Sequence, residues 1–166
     1  MATAANNSAP DPRREFLRHT LATLAYRGGK AVRGIPPDFA NFCPAEGCRT
    51  PLQILAHMGD LMEWAVSIAK GEQRWQDSQP IGWDAEVERF YAGMTALDAY
   101  LSSAEPMHAA ERLLFQGPVA DALTHVGQIA ILRRMAGCPM RGENYFKADI
   151  VAGRVGPEQA APKREF

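Results

Sequence analysis

No stretch of this 166-residue chain is apolar for the ~18 residues that a bilayer-crossing helix needs. Net charge is also scarce. Eighteen Lys and Arg face 19 Asp and Glu, which leaves −1. That balance gives no argument for a nucleic acid or an anionic membrane as partner. The first ten residues, MATAANNSAP, have neither the basic start nor the apolar centre of a secretory signal, so a cytoplasmic location is expected. Cysteine is limited to Cys43, Cys48 and Cys138, an odd number with no CxxC. This does not suggest a disulfide framework, and the C-x4-C pair lacks the further ligands of a zinc knuckle, so ordinary loop cysteines are expected. No internal repeat, glycine-rich phosphate loop or GxSxG is present.

What the chain does have is helical periodicity with punctuation. Hydrophobic residues make up 46% and charged residues 22%, which places it among ordinary globular domains. Residues 1–10 are small and polar and read as a disordered arm. Asp11-Pro12 then reads as an N-cap with proline behind it, opening a helix that runs to about Arg27. Leu17, Leu21 and Leu24 form its stripe, His19 lies off it, and Gly28-Gly29 weakens or ends it.

The clearest helix has Thr50 as N-cap, Pro51 at its first position and Gly71 past its end. Its wide apolar stripe runs from Ile54 to Ala69, with His57 at the edge. A third helix runs from about Trp83 to Ser103, burying Phe90, Tyr91, Met94 and Leu97. Asp98 falls on that same buried face and needs a partner. It either orients a ligand histidine or meets an arginine. Trp64, Trp75 and Trp83 read as packing residues. His108, in a connection that includes a short helical turn over Ala109–Phe115, reads as exposed.

The fourth helix, Val119–Ala136, opens after Gly117-Pro118 and closes at Gly137. At 100° per residue, Asp121, His125, Gln128, Leu132 and Met135 share one strip. Leu123, Val126, Ala130 and Ile131 occupy another, suited to packing on the first helix or on a second chain. A short helix is expected near Asn144–Ala152 and a loose tail over 156–166. Four helices without strands predict an all-α four-helix bundle over residues 11–155, with long loops and a short C-terminal extension.

Asp121 and His125 stand four apart on one helix face, close enough for both to reach a single metal ion. They would equally make a hydrogen-bonded pair without metal. A third ligand is needed, and His57 on its own reads as a histidine at the edge of a core stripe.

Two segments in this order, LQILAHMGDLMEWAVSIAKGE (52–72) and DALTHVGQIAILRRMAG (121–137), resemble the DinB-like family of bacterial four-helix bundles, also called YfiT-like metal-dependent hydrolases. The similarity extends over residues 12–137. It implies that His57, Asp121 and His125 hold a divalent transition metal. Asp121 stands where the family usually has histidine, and Val126 where it often has arginine. Two histidines and a carboxylate suit zinc, nickel or iron. The resemblance also implies a homodimer. It further implies chemistry on a low-molecular-weight thiol and a small electrophile, as an S-transferase or isomerase, with metal-dependent hydrolysis as a further alternative. Gln128 would then support a ligand or bind substrate. Arg133 or Arg141 would meet a carboxylate. The other class of function is a stress-associated binding bundle whose metal site is degenerate or structural.

Overall fold

The computed structural model describes residues 11–166, so the expected arm over 1–10 lies outside the described residues. Four long helices carry the fold: α1 (Pro12–Val32), α2 (Pro51–Ala69), α3 (Trp83–Ser102) and α5 (Ala120–Met135). A single turn, α4 (Glu111–Leu114), precedes α5. No strand occurs among the described residues, and among them no helix is long and apolar enough to cross a membrane. The long helices pack in a ring, with α1 and α2 each lying against both α3 and α5. Leu21, Leu55, Met58, Met62, Phe90, Met94 and Ile129, all fully buried, fill the centre.

Local signals set the helix starts. The Asp11 side chain accepts from the Arg13 N–H at 2.8 Å. Thr50 and Gln53 form a reciprocal capping box: the Gln53 N–H donates to Thr50 Oγ1 at 3.2 Å and the Thr50 N–H to Gln53 Oε1 at 2.9 Å. A cap of this kind contributes about 1 kcal/mol to helix stability.

Several sequence expectations need correction. Helix α1 is not ended by Gly28-Gly29 but continues through both glycines to Val32. The glycines are there for close approach. A Cβ on Gly28 would lie 3.0 Å from the Phe90 ring, and one on Gly29 would strike the Tyr91 hydroxyl. Gly117-Pro118 does not open the fourth helix either. Both lie inside a wide π-type turn, Phe115–Val119, that joins α4 to α5, with Gly117 at φ −89°, ψ −105°. Cys43 and Cys48 are paired as a disulfide with Cα atoms 6.0 Å apart, a normal span for such a bond. A turn in which the Cys48 N–H donates to the Ala45 carbonyl brings them together.

The inward strip of α5 is rotated from the expected one. Ala122, His125, Val126, Ile129, Leu132 and Arg133 are buried, while Asp121, Gln128 and Met135 face outward. The helix is apolar nearly all round, so periodicity alone could not choose the face. The second strip divides: Val126 lies under α1, 3.6 Å from where a Gly28 Cβ would be, and Ile131 is 54% exposed. Arg133 is buried and its partners among the described residues are backbone carbonyls. It donates to the carbonyls of Ala31, Arg33 and Cys138 at 2.7–2.9 Å, so its charge caps the carbonyl end of α1.

The C-terminal segment is neither helical over 144–152 nor loose over 156–166. Only Tyr145–Lys147 form a 3-10 turn. The chain then returns, with Asn144 donating to Arg164 and Phe166 to Gly142. Lys30 of α1 holds the returning segment through Glu143 (2.8 Å) and Glu165 (2.6 Å), and the Tyr26 hydroxyl donates to Glu143 at 2.6 Å. Polar composition suggested disorder, but here the polar groups are each other's partners.

Two predictions follow from this packing. In α3, a Cβ on Gly93 would lie 2.6 Å from Met62 Cβ, whereas around Gly127 in α5 there is open space. Gly93→Ala should therefore destabilise by about 1–3 kcal/mol through overpacking. Gly127→Ala should stabilise by up to about 1 kcal/mol through helix propensity. Urea unfolding of the two variants checks both signs. The second concerns Glu165, whose pKa is lowered chiefly by the hydrogen bond from Lys30. A carboxylate held below its unfolded value stabilises above an unfolded pKa of about 4.3 and loses that contribution as pH falls through the lowered one. The protection of the Phe166 amide, the slowing of its exchange below the intrinsic rate at the same pH, should accordingly be high at neutral pH and fall in acid, and a protection factor independent of pH would reject the clasp.

Candidate metal centre

Helix α2 delivers His57, and α5 delivers Asp121 and His125 from one face. The two helices pack side by side, which makes residues 64 apart in sequence neighbours in space. His57 Nε2 lies 3.6 Å from Asp121 Oδ2, and His125 Nε2 lies 3.4 Å from Asp121 Oδ1. One donor atom from each of the three residues lies within 4.8 Å of the others. A tetrahedral ion with bonds of about 2.1 Å would hold its donors about 3.4 Å apart, close to each of the two carboxylate–imidazole edges, which end on different oxygens of Asp121. They are too long for good hydrogen bonds, which seldom exceed about 3.2 Å for such pairs. By residue type and proximity, the three could together hold a divalent ion.

The supporting contacts fit as well. His125 Nδ1 lies 2.8 Å from the Gln128 amide oxygen. Facing that acceptor, Nδ1 carries the proton, and the Nε2 lone pair points toward Asp121. Metal-binding histidines are usually oriented in this way through their second nitrogen. The histidine side chains are only 10–19% exposed, whereas that of Asp121 is 47% exposed and sits at the rim. Such a site is rigid below and open to solvent on the Asp121 side. The His57 pKa is lowered, first by burial and then by the like charges of His125 and Arg49, against a smaller opposing pull from Asp121. At neutral pH His57 is therefore neutral, the form a metal requires.

Asp98 is absent from this group. It pairs with Arg18 of α1 at 2.9 Å, so of its two expected partners the arginine is the one it meets, and the role of orienting a ligand histidine is corrected. His19 and His108 are exposed and stand apart from the centre.

Two features of the surroundings escaped the sequence. Trp75 is not a simple packing residue. It is half-exposed, edge-on to His57 with ring centres 5.6 Å apart, and edge-on to Trp64 at 5.5 Å. Loop 71–82 carries it there because its backbone is pinned: the Ser78 N–H donates to Asp60 at 3.0 Å and the Ile81 N–H to Glu86 at 3.1 Å. Arg49 is the second. Just before the α2 cap, it lines a cavity of about 160 Å³ beside His57. Neither residue lies in a periodic segment. The only signal for Arg49 was its place one residue before a strong N-cap.

No family model, curated protein or solved structure matches the chain.

Metal uptake tests the geometry directly. The native chain should hold about one equivalent of zinc, nickel or ferrous iron by elemental analysis, and His57→Ala should lose at least tenfold in affinity, the scale on which even a residue supporting a ligand acts. Affinity should fall below pH ~6.5, where an unperturbed histidine gains its proton. In the apo protein the lowered His57 value carries the same sign: its stabilising effect is full above that pH and fades as pH falls toward the lowered value. Negligible metal in the native chain after incubation with all three ions would make these residues a polar cluster.

Proposed function

We propose that this chain is a divalent-metal-dependent enzyme of the DinB-like kind, acting on a low-molecular-weight thiol and a small electrophile as an S-transferase or isomerase. The convergence of two imidazoles and one carboxylate from α2 and α5 is the observation that carries this reading. Three protein donors leave positions for an exogenous ligand, as catalytic sites do and closed structural sites do not. A bound zinc, nickel or iron ion would supply a Lewis acid that favours the ionised form of a thiol or water ligand.

The chain's own residues favour a thiol over water. A thiol titrates near pH ~8.5 in the free state, so little further help is needed to ionise it. Hydrolysis generally draws on a positioned base as well. The buried carboxylate nearest His57 in the adjoining cavity wall is Asp60, and its oxygens are taken by Arg89 at 2.7 Å and the Ser78 N–H at 3.0 Å. His57 and His125 would hold the ion, Asp121 would complete the set at the rim, and Gln128 would keep His125 in its tautomer. Trp75 would shield the His57 side from water. In S-transfer the sulfur lone pair forms a bond to the electrophilic carbon. The leaving group departs with its bonding electrons, and the thiol proton passes to solvent.

A second reading, a stress-associated binding bundle with a structural metal, draws on the exposure of Asp121 at the site's edge. One assay separates the two. Metal-loaded protein, given a panel of thiols and alkylating or epoxide electrophiles, should accelerate thioether formation over the uncatalysed rate, and Asp121→Ala should abolish the acceleration. Rates equal with and without protein, together with a melting temperature that drops on chelation, would favour the binding bundle.

A further inference from the structure

Arg49 stands at the junction of two hollows beside the metal centre. One, of about 160 Å³, is shared with Gln53, His57, Asp77 and Ser78. The other, a shallow groove of about 540 Å³, is shared with Ile54, Thr124 and Gln128. The same residue therefore lines both the hollow that holds His57 and the groove that holds the amide orienting His125. Among the described residues it forms no ion pair. Asp60 in the same wall is engaged by Arg89, and Asp77 is not within 4.0 Å of the Arg49 nitrogens. The backbone beneath Arg49 is held on both sides, by the Cys43–Cys48 bond before it and the Thr50–Gln53 capping box after it. An exposed cation without a counter-ion, on a stem held from both sides and lining the hollow that reaches His57, is suited to receive an anion.

We propose that Arg49 receives the carboxylate of the small molecule whose other end reaches His57, Asp121 and His125, so that the ligand is a short carboxylate-bearing thiol and not a neutral one. This rests on the metal–thiol reading above and adds its substrate class. A guanidinium fork matches a carboxylate with two parallel hydrogen bonds. A divalent ion with one carboxylate ligand leaves a net positive centre, and Arg49 extends that field outward, which draws an anion in and disfavours a cationic competitor. The 160 Å³ hollow is well below the ~300 Å³ at which pockets for drug-sized ligands begin, so it suits a two- or three-carbon acid.

The test uses the cobalt(II)-loaded protein, whose thiolate charge-transfer absorption reads binding without turnover. It is titrated with 3-mercaptopropionate and with 3-mercaptopropan-1-ol, which differ in the carboxylate. The native protein should bind the acid about tenfold more tightly, and Arg49→Gln should remove that preference while leaving the alcohol within about twofold, a difference of roughly 1.4 kcal/mol. Arg49→Lys should restore part of it. Arg49 takes no part in the α2 cap, and an unchanged circular dichroism spectrum checks that the variants fold. Equal affinities in the native protein, or a preference that survives Arg49→Gln, would overturn the assignment of Arg49 and leave the metal–thiol reading standing. Cobalt uptake with no charge-transfer band from either thiol would overturn that reading and this one with it.

Discussion

One half-buried cation, Arg89, holds together the elements on which the site depends. It projects from α3 against α2 and donates to Asp60 at 2.7 Å, Glu86 at 2.8 Å, Glu63 at 3.2 Å and the Ala56 carbonyl at 2.6 Å. Asp60 and Glu86 have side chains 1% exposed, so each depends on this guanidinium for its charge to be tolerated. Burial works against the charge on Arg89, and the three carboxylates more than offset it, raising its pKa further. Gly59 is part of the arrangement, because a Cβ there would lie 2.7 Å from the guanidinium carbon. Removing one partner of such a buried set typically costs on the order of 3–5 kcal/mol, since the stranded charge stays desolvated.

The consequences reach the metal centre through the loop. Asp60 and Glu86 use their remaining oxygens to fix the Ser78 and Ile81 N–H groups. That fixes the course of residues 71–82, and with it Trp75 against His57. Helix pairing and the aromatic wall of the site thus share a single electrostatic anchor. On the opposite side, Arg133 does comparable work with neutral partners by tying α5 to the carbonyl end of α1. Each of the two helices that supply ligands is fastened to a neighbour by an arginine outside the ligand set, Arg133 buried and Arg89 half-buried. This is how a rigid scaffold presents two imidazoles at fixed spacing while Asp121 stays at the rim.

The entry to α5 departs from regular helix. The wide turn over Phe115–Val119 sits immediately before the ligand-bearing helix, with Gly117 outside helical angles and Pro118 unable to donate. Inserted turns of this kind often mark functional sites, because they re-aim the side chains that follow. Asp121 is the second residue of α5. The turn therefore lies where a small change in backbone direction has the greatest effect on the carboxylate.

Much of this was legible in the sequence, and the parts that were share one property: the signal is local. The Thr50 capping box, the Asp11 cap, the buried stripes of α2 and α3 and the i,i+4 relation of Asp121 and His125 are all set by residues within one or two turns of each other. Single-helix periodicity was enough to give four long helices and to pair Asp121 with His125, while the addition of His57 to that pair came from the family resemblance. The tertiary structure alone decided the rest. Gly28 and Gly29 read as a helix stop because local propensity disfavours glycine, yet they are sites of close approach to Phe90 and Tyr91, some 60 residues away. Arg18 is the partner of Asp98, Lys30 grips the returning C-terminal segment, and Arg49 and Trp75 reach the ligand set from loops. None of these pairings has a period. A partner is chosen by where two distant elements come to lie, and that is fixed only when the helices pack.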